Sequence, residues 1–160
     1  MRIAAHGLAI DAPRGWDARI SRRGPDVVMA TQGQAAPEPT LHPVLHAANF
    51  ALPEDRGDFG SGAVELMSSP HALVALLEFH PDAARTPLFS DPGMPRRLSP
   101  DAFSPQQLQR TLQGQAGAQR FFSEAGRAFC LYVVLGGFTN RNAVVPQVNA
   151  TLERLEIRAR

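Results

Sequence analysis

The chain has 160 residues, a formal net charge of +1 and a hydrophobic content of 44%. This length favours a single domain over residues 1–160, with a core large enough to fold without disulfides or structural metals. The near-zero net charge excludes strong electrostatic steering toward nucleic acid or a membrane surface.

The first predicted elements come from the stretch GLAIDAPRGWDARI at residues 7–20. Apolar residues at Leu8 and Ile10 alternate with Ala9 and Asp11, and the same period of two resumes after residues 12–15, whose Pro and Gly positions suit a type I turn. The pattern predicts a β-hairpin with one buried face. Trp16 is expected to anchor the core end of the second strand.

The next stretch is predicted to hold two strands and one short helix. DVVMA at residues 26–30 predicts a strand, and the Pro- and Gly-containing residues 31–43 predict a loop. A further strand is expected over residues 44–52. Ser61 is a candidate N-cap for a short helix over residues 63–67, although the glycines around it disfavour helix.

An apolar strand and a long proline-rich segment follow. ALVALLEFH at residues 72–80 lies between Pro70 and Pro81, and its length favours a strand. Residues 81–105 hold six prolines, too many for a helix or a central strand. A loop of that length is typically functional or mobile. Its apolar residues predict that parts of it pack on the core: Leu88, Phe89, Met94, Leu98 and Phe103.

The last third predicts a hairpin, a helix and a short strand. Residues 119–123 and 127–135 flank a turn at 124–126, and the almost continuous apolar character of the second limb predicts a central strand covered on both faces. Asn142 is then a candidate N-cap, with Pro146 in the first helical turn. Apolar residues recur at helical spacing in one stripe and make the C-terminal helix amphipathic: Val144, Val148, Leu152 and Leu155. The short strand LEI is predicted to follow the helix.

Together these elements predict an α+β protein: a twisted, mostly antiparallel sheet with the C-terminal amphipathic helix packed on one face.

The sequence assigns no catalytic, cofactor-binding or metal-ligating residue. Five histidines are present, at positions 6, 42, 46, 71 and 80. His42 and His46 are four residues apart, but Pro43 disfavours the helix that would align them, and no HExxH or paired-cysteine pattern accompanies them. All other basic residues are arginines, which excludes Schiff-base and P-loop lysine chemistry.

Other motifs have ordinary structural explanations. Cys130 could serve as a nucleophile with one of the histidines, but its apolar strand predicts a small buried hydrophobe. Asn149 begins a glycosylation sequon in the middle of a predicted helix. The Arg22-Arg23 and Arg96-Arg97 doublets are too short for a nucleic-acid interface. No signal peptide or membrane-spanning run is predicted, so we expect a soluble cytoplasmic protein.

The two ends of the chain carry a family resemblance. Two parts of the sequence resemble proteins with the PsbP-like fold. One is the N-terminal motif formed by Ile10, Pro13, Gly15 and Trp16, and the other is the closing helix and strand over residues 142–157. Photosystem extrinsic subunits, a Ran-binding nuclear import factor, LpqN-type lipoproteins and DUF1795-type chaperones of secreted effectors share that fold. Residues 32–105 match no motif of the family, and the lipobox cysteine of LpqN-type proteins is missing.

The resemblance implies a non-catalytic protein that binds another protein. The leading hypothesis is therefore a cytoplasmic adaptor or chaperone for a secreted or membrane-associated partner. We expect it to use no cofactor, to bind no nucleic acid and not to insert into a membrane. Self-association is left open. The alternative is a small-molecule or lipid-binding domain with a cleft beside residues 81–105. An enzyme built on Cys130 or a histidine ranks last.

Overall fold

The computed structural model describes residues 1–23 and 42–160. Over these residues the chain forms strands, one α-helix and several single turns of 3-10 helix. The strands and the α-helix are β1 (Arg2–Ala5), β2 (Leu8–Asp11), β3 (Asp17–Arg23), β4 (His42–Ala48), β5 (Ala72–Phe79), β6 (Ala116–Glu124), β7 (Arg127–Leu135), α1 (Arg141–Leu152) and β8 (Leu155–Ile157). The predicted strand at residues 26–30 lies outside the described residues, as does nearly all of the predicted loop 31–43.

The described strands form two antiparallel sheets. The smaller sheet has the order β1-β2-β8, and the larger has the order β3-β4-β5-β7-β6. With one C-terminal helix beside dominant strands, the α+β class is confirmed. The expectation of a single sheet is wrong, because the first two strands and the last strand close on one another and leave the other five as a separate sheet.

The predicted N-terminal hairpin is also wrong. Its two strands exist as β2 and β3, but they belong to different sheets: β2 pairs with β1 and β8, and β3 pairs with β4. The turn lies one residue later than predicted, since the Trp16 amide donates to the Pro13 carbonyl at 3.0 Å. Gly15, with φ of +85°, occupies the position that requires positive φ.

Trp16 is half-buried and precedes β3 rather than starting it. Its side chain packs against the core shared by the two sheets and α1. The prediction that Trp16 contacts the core is confirmed. The prediction that it belongs to the second strand is wrong, because that strand, β3, begins at Asp17.

The larger sheet is apolar on both faces, which explains its continuous hydrophobic strands. Alternate residues of β5 and β7 pack on one face against α1 and the smaller sheet. The other residues of both strands pack on the opposite face with loop residues such as Leu52 and Val64. The strands predicted at 72–80 and 127–135 are confirmed, and the one predicted at 44–52 begins earlier and ends at Ala48.

The β6–β7 hairpin is confirmed with its turn. Ala125 and Gly126 connect the strands with φ of 54° and 74°, as two-residue turns of type I′ require.

The C-terminal helix is confirmed with a different start. It begins at Arg141 after a cap at Asn140 whose side chain makes no capping hydrogen bond, so Asn142 is not the N-cap. The prediction that Pro146 lies in the first turn is wrong, because Pro146 is the sixth helical residue, where it removes one backbone donor. All four stripe residues are buried: Val144, Val148, Leu152 and Leu155, the last of which lies in β8.

Residues 81–105 are packed rather than free of structure. Three short 3-10 helices, each beginning with proline, punctuate them at Pro81–Arg85, Pro87–Phe89 and Pro100–Ala102. Four of the five apolar residues expected to pack are buried, namely Phe89, Met94, Leu98 and Phe103, whereas Leu88 is 58% exposed.

The helix predicted at 63–67 is a single 3-10 turn, Val64–Leu66. Its N-cap is Ala63, so Ser61 does not cap it. Glycines on both sides of Ser61 have positive φ, Gly60 at +85° and Gly62 at +88°, and these turns limit the helix to that length.

Candidate functional site

The largest buried charge cluster joins the two sheets. Glu78 of β5 and Arg127 of β7 are 0% and 3% exposed. Arg127 donates from Nε to Oε1 and from a terminal nitrogen to Oε2 of Glu78, at 2.9 and 2.8 Å. Its remaining N–H groups donate to the carbonyl oxygens of His6, Gly7 and Arg158.

All five guanidinium donors of Arg127 therefore have acceptors. Arg160 adds a second cation on Glu78 Oε2, at 2.8 Å. Burial raises the pKa of Glu78, but its hydrogen bonds and charge attraction to Arg127 and Arg160 outweigh burial and leave that pKa below its ordinary value. The cluster holds the N- and C-terminal strands against the larger sheet, which is a structural role.

A second buried polar group surrounds His46. Its Nε2 lies 2.8 Å from the Asp58 carbonyl, and its Nδ1 accepts from Arg56 Nε at 3.0 Å. Burial, with the nearby Arg56 charge, lowers the pKa of His46 to about 4 against the upward pull of the Asp58 carbonyl. A neutral His46 that donates through Nε2 and accepts through Nδ1 fits both contacts and ties the loop after β4 to the sheet.

The other residues singled out from the sequence also have local roles. His71 and His80 accept backbone N–H bonds through Nδ1. Cys130 is fully buried, and Gln119 donates to its Sγ at 3.5 Å. Asn149 of α1 pairs twice with the Leu98 backbone, at 2.8 and 3.0 Å, so the sequon side chain fastens the proline-rich segment to the helix.

The remaining titratable and metal-ligating side chains of the described residues do not come together in one site. Within residues 1–23 and 42–160, no group of three or more His, Cys, Asp or Glu residues is placed to hold a metal ion. Arg96 of the second doublet donates to the carbonyl oxygens of Leu152 and Leu155 and lies 3.9 Å from Glu124. Its neighbour Arg97 is exposed.

An open groove, called here the helix groove, runs between α1 and residues 97–100. It has a volume of about 690 Å³, with Pro146, Asn149, Ala150 and Glu153 on the helix side and Arg97, Leu98, Ser99 and Pro100 on the other. Arg97 and Glu153 are exposed, and neither makes an ion pair with a described residue. The helix groove lies beside residues 81–105, where the sequence predicted a cleft.

A second groove, the neutral groove, lies at the end of the larger sheet. Its volume is about 450 Å³, and residues 111–115 and 136–139 line it together with Ser69 and Pro105. Beside it lies a small crevice of about 60 Å³ over Phe59, Leu108 and Tyr132. Gln115 lines both cavities.

Gln115 has one satisfied end and one unsatisfied end. The residue is 6% exposed, and its Nε2 donates to the Val64 carbonyl at 2.8 Å. Its Oε1 is buried with no hydrogen-bond partner among the residues that the structure describes. An unpaired buried acceptor is uncommon in folded proteins. No sequence pattern predicts it here, since a glutamine in a loop is ordinarily exposed.

The buried Glu78–Arg127 pair was missed as well, although a signal existed. Both residues adjoin or interrupt long apolar runs, and opposite charges in such places are rarely buried without pairing. The observed register places Glu78 opposite Phe129, which makes Arg127 its diagonal cross-strand neighbour.

No family model, curated protein or solved structure matches this chain. The PsbP-like resemblance therefore stays a prediction. None of the helices in the described part of the chain is long and apolar enough to cross a lipid bilayer.

Proposed function

We propose that the protein is a non-catalytic protein-binding module that holds an extended segment of a partner in the helix groove. The observation that carries this proposal is the groove itself. It is open to solvent, it is formed by packed elements, and it presents one cation and one anion that have no ionic partner among the described residues.

The groove is built to keep its shape without a ligand. Leu98 is buried, and both backbone polar groups of Leu98 are bound by the Asn149 side chain. Pro100 and Pro146 restrict the backbone on the two sides. A preformed groove reduces the ordering that a bound peptide has to induce, and this favours recognition of a flexible partner segment.

The free charges indicate which segment fits. Arg97 and Glu153 would attract an acidic and a basic residue of the partner, which sets the direction of the bound segment more than its affinity. An apolar small molecule or lipid in the same cleft would leave both charges without complementary groups. The PsbP-like resemblance adds the expectation of an adaptor or chaperone acting in the cytoplasm on a secreted or membrane-associated partner.

An enzymatic function has less support. Glu78, Arg127 and His46 are buried and use their polar atoms in contacts within the fold. Cys130 is fully buried, and buried thiols are poor nucleophiles. These groups stabilise the structure and do not line the helix groove.

Selection from a peptide library displayed on phage tests the proposal. We expect the protein to enrich peptides that carry both an acidic and a basic residue. Ala150→Trp fills the helix groove and should abolish their binding. Ala143→Trp adds the same side chain at another exposed position of α1, outside the groove, and should leave binding unchanged.

A charge exchange sharpens the test. In the double variant Arg97→Glu/Glu153→Arg the two groove charges trade places, so selected peptides should show the opposite order of acidic and basic residues. Enrichment of the same peptides by Ala150→Trp, or no enrichment by the wild-type protein, would contradict the proposal.

A further inference from the structure

We propose that the neutral groove is a separate binding site for a small uncharged molecule whose N–H or O–H group donates to Oε1 of Gln115. This inference is independent of the peptide-binding proposal, because no described residue lines both grooves.

The size of the neutral groove fits a small molecule. Its volume of about 450 Å³ falls in the range of roughly 300–1,000 Å³ typical of small-molecule pockets. The groove is bounded by backbone that cannot recede: a Cβ at Gly136 would lie within 2.0 Å of the Ser68 carbonyl oxygen, and one at Gly137 within 2.4 Å of Ser69 Oγ. Close contact between residues 136–137 and residues 68–69 therefore fixes this wall of the neutral groove.

The chemistry of the lining selects an uncharged ligand. None of the described residues that line the neutral groove has an ionisable side chain; their polar side chains are hydroxyls and amides. A charged ligand would lose hydration without meeting an opposite charge. A neutral ligand with an apolar body can instead contact Leu112 and Phe138.

Gln115 supplies the specific polar contact. Its amide nitrogen is fixed by the Val64 carbonyl, and this assigns the unpaired atom as the oxygen, an acceptor. A buried acceptor without a partner costs free energy that a ligand donor would recover. A ligand that lacks a donor would leave this cost in place.

Access to Oε1 requires local movement, because the atom is shielded from solvent. The crevice that also borders Gln115 includes Glu65 and Arg110, which form an exposed ion pair at 3.2 Å. Exposed ion pairs contribute little stability, so these two side chains can move and leave room for the Gln115 side chain to shift toward the neutral groove without unfolding the sheet.

The test compares cyclohexanol with cyclohexanone, which have the same number of heavy atoms but differ in whether they can donate a hydrogen bond. Each is titrated into ¹⁵N-labelled protein, and the backbone amides of Gly114, Gly136 and Gly137 and the side-chain amide of Gln115 are followed by NMR. Cyclohexanol should shift these signals saturably and bind about 10-fold more tightly than cyclohexanone, as one net hydrogen bond predicts.

Two variants locate the site. Gln115→Met keeps the side-chain length and removes the acceptor, so the preference for cyclohexanol should disappear. Thr139→Trp fills the groove from an exposed position and should abolish binding of both compounds, whereas Ala143→Trp should not.

Equal affinity of the wild-type protein for the two compounds, or no saturable shift with either, would overturn the proposal. Because the wild-type comparison needs no variant, this decision stands even if Gln115→Met does not fold. Retained cyclohexanol binding in Ala150→Trp separates this site from the helix groove.

Discussion

Replacing Arg127 by methionine should be among the most destabilising single changes in this protein. The substitution keeps an unbranched side chain of similar length but removes every donor. Glu78 then stays fully buried with Arg160 as its remaining cationic partner. Three backbone carbonyl groups, those of His6, Gly7 and Arg158, lose a donor at the same time.

The expected loss is about 3–5 kcal/mol, the range measured when one partner of a buried ion pair is removed. The lower part of that range applies if Arg160 still neutralises Glu78. Since a domain of ordinary stability unfolds with about 5–15 kcal/mol, this loss takes a large share of the total. The matched control is Arg110→Ala, which removes the exposed ion pair with Glu65 and should cost less than about 1 kcal/mol.

Urea denaturation followed by circular dichroism measures both losses. The double variant Glu78→Leu/Arg127→Met should be more stable than Arg127→Met alone, because it also removes the buried carboxylate that has lost its bidentate partner. If Arg127→Met costs no more than Arg110→Ala, or if adding Glu78→Leu lowers stability further by its full single-variant amount, the buried pair does not join the sheets as described.

Three further outcomes follow from the described contacts. Folding lowers the pKa of His46 from 6.5 to about 4, so the stability that neutral His46 contributes is fully present above pH 6.5 and is lost as the pH falls toward 4. Urea denaturation at several pH values should therefore show that the wild-type protein loses about 3 kcal/mol more than His46→Gln over this range. Parallel plots of unfolding free energy against pH would contradict this prediction. Cys130 should react with a thiol reagent only at the rate of unfolding, and rapid labelling of folded protein would restore the enzyme hypothesis. Val148→Asp should make the protein insoluble or unfolded, because Val148 is fully buried and the new charge would have no partner. The control Ala143→Asp, on the exposed face of α1, should stay soluble. Sedimentation of both variants measures this difference.

Local patterns predicted the elements of this fold well. The apolar run at 72–80, the hairpin around Gly126 and the helical stripe around Val148 each reflect contacts that short sequence spacing determines. The type of element at these places was therefore available from the sequence.

The pairing of strands that are distant in the chain could not be predicted from local sequence patterns. The N-terminal hairpin was predicted from two strands around Gly15, but β2 pairs instead with β8, where Leu8 lies opposite Ile157. Nothing in the local pattern of β2 distinguishes these partners, because both place its apolar residues in a core. The N-cap of α1, Asn140, was also missed, since a preceding 3-10 turn, Phe138–Asn140, leads directly into the helix.

The candidate sites were harder to predict than the elements. A cleft beside residues 81–105 was expected, and the helix groove lies there. Its two charged residues, Arg97 and Glu153, line the same groove only because tertiary packing brings their segments together. The unpaired oxygen of Gln115 depends on one contact with the Val64 carbonyl, 51 residues away in the chain. Such a contact leaves no periodic signature in the sequence.

Paramagnetic relaxation enhancement with a selected, nitroxide-labelled peptide decides whether a partner segment binds in the helix groove. If the helix groove holds the partner segment, the label should broaden the amide signals of residues 97–99 and of Asn149, Ala150 and Glu153, while those of residues 111–115 and 136–139 keep their intensity. Broadening confined to the second set, or spread evenly over the surface, would contradict the account.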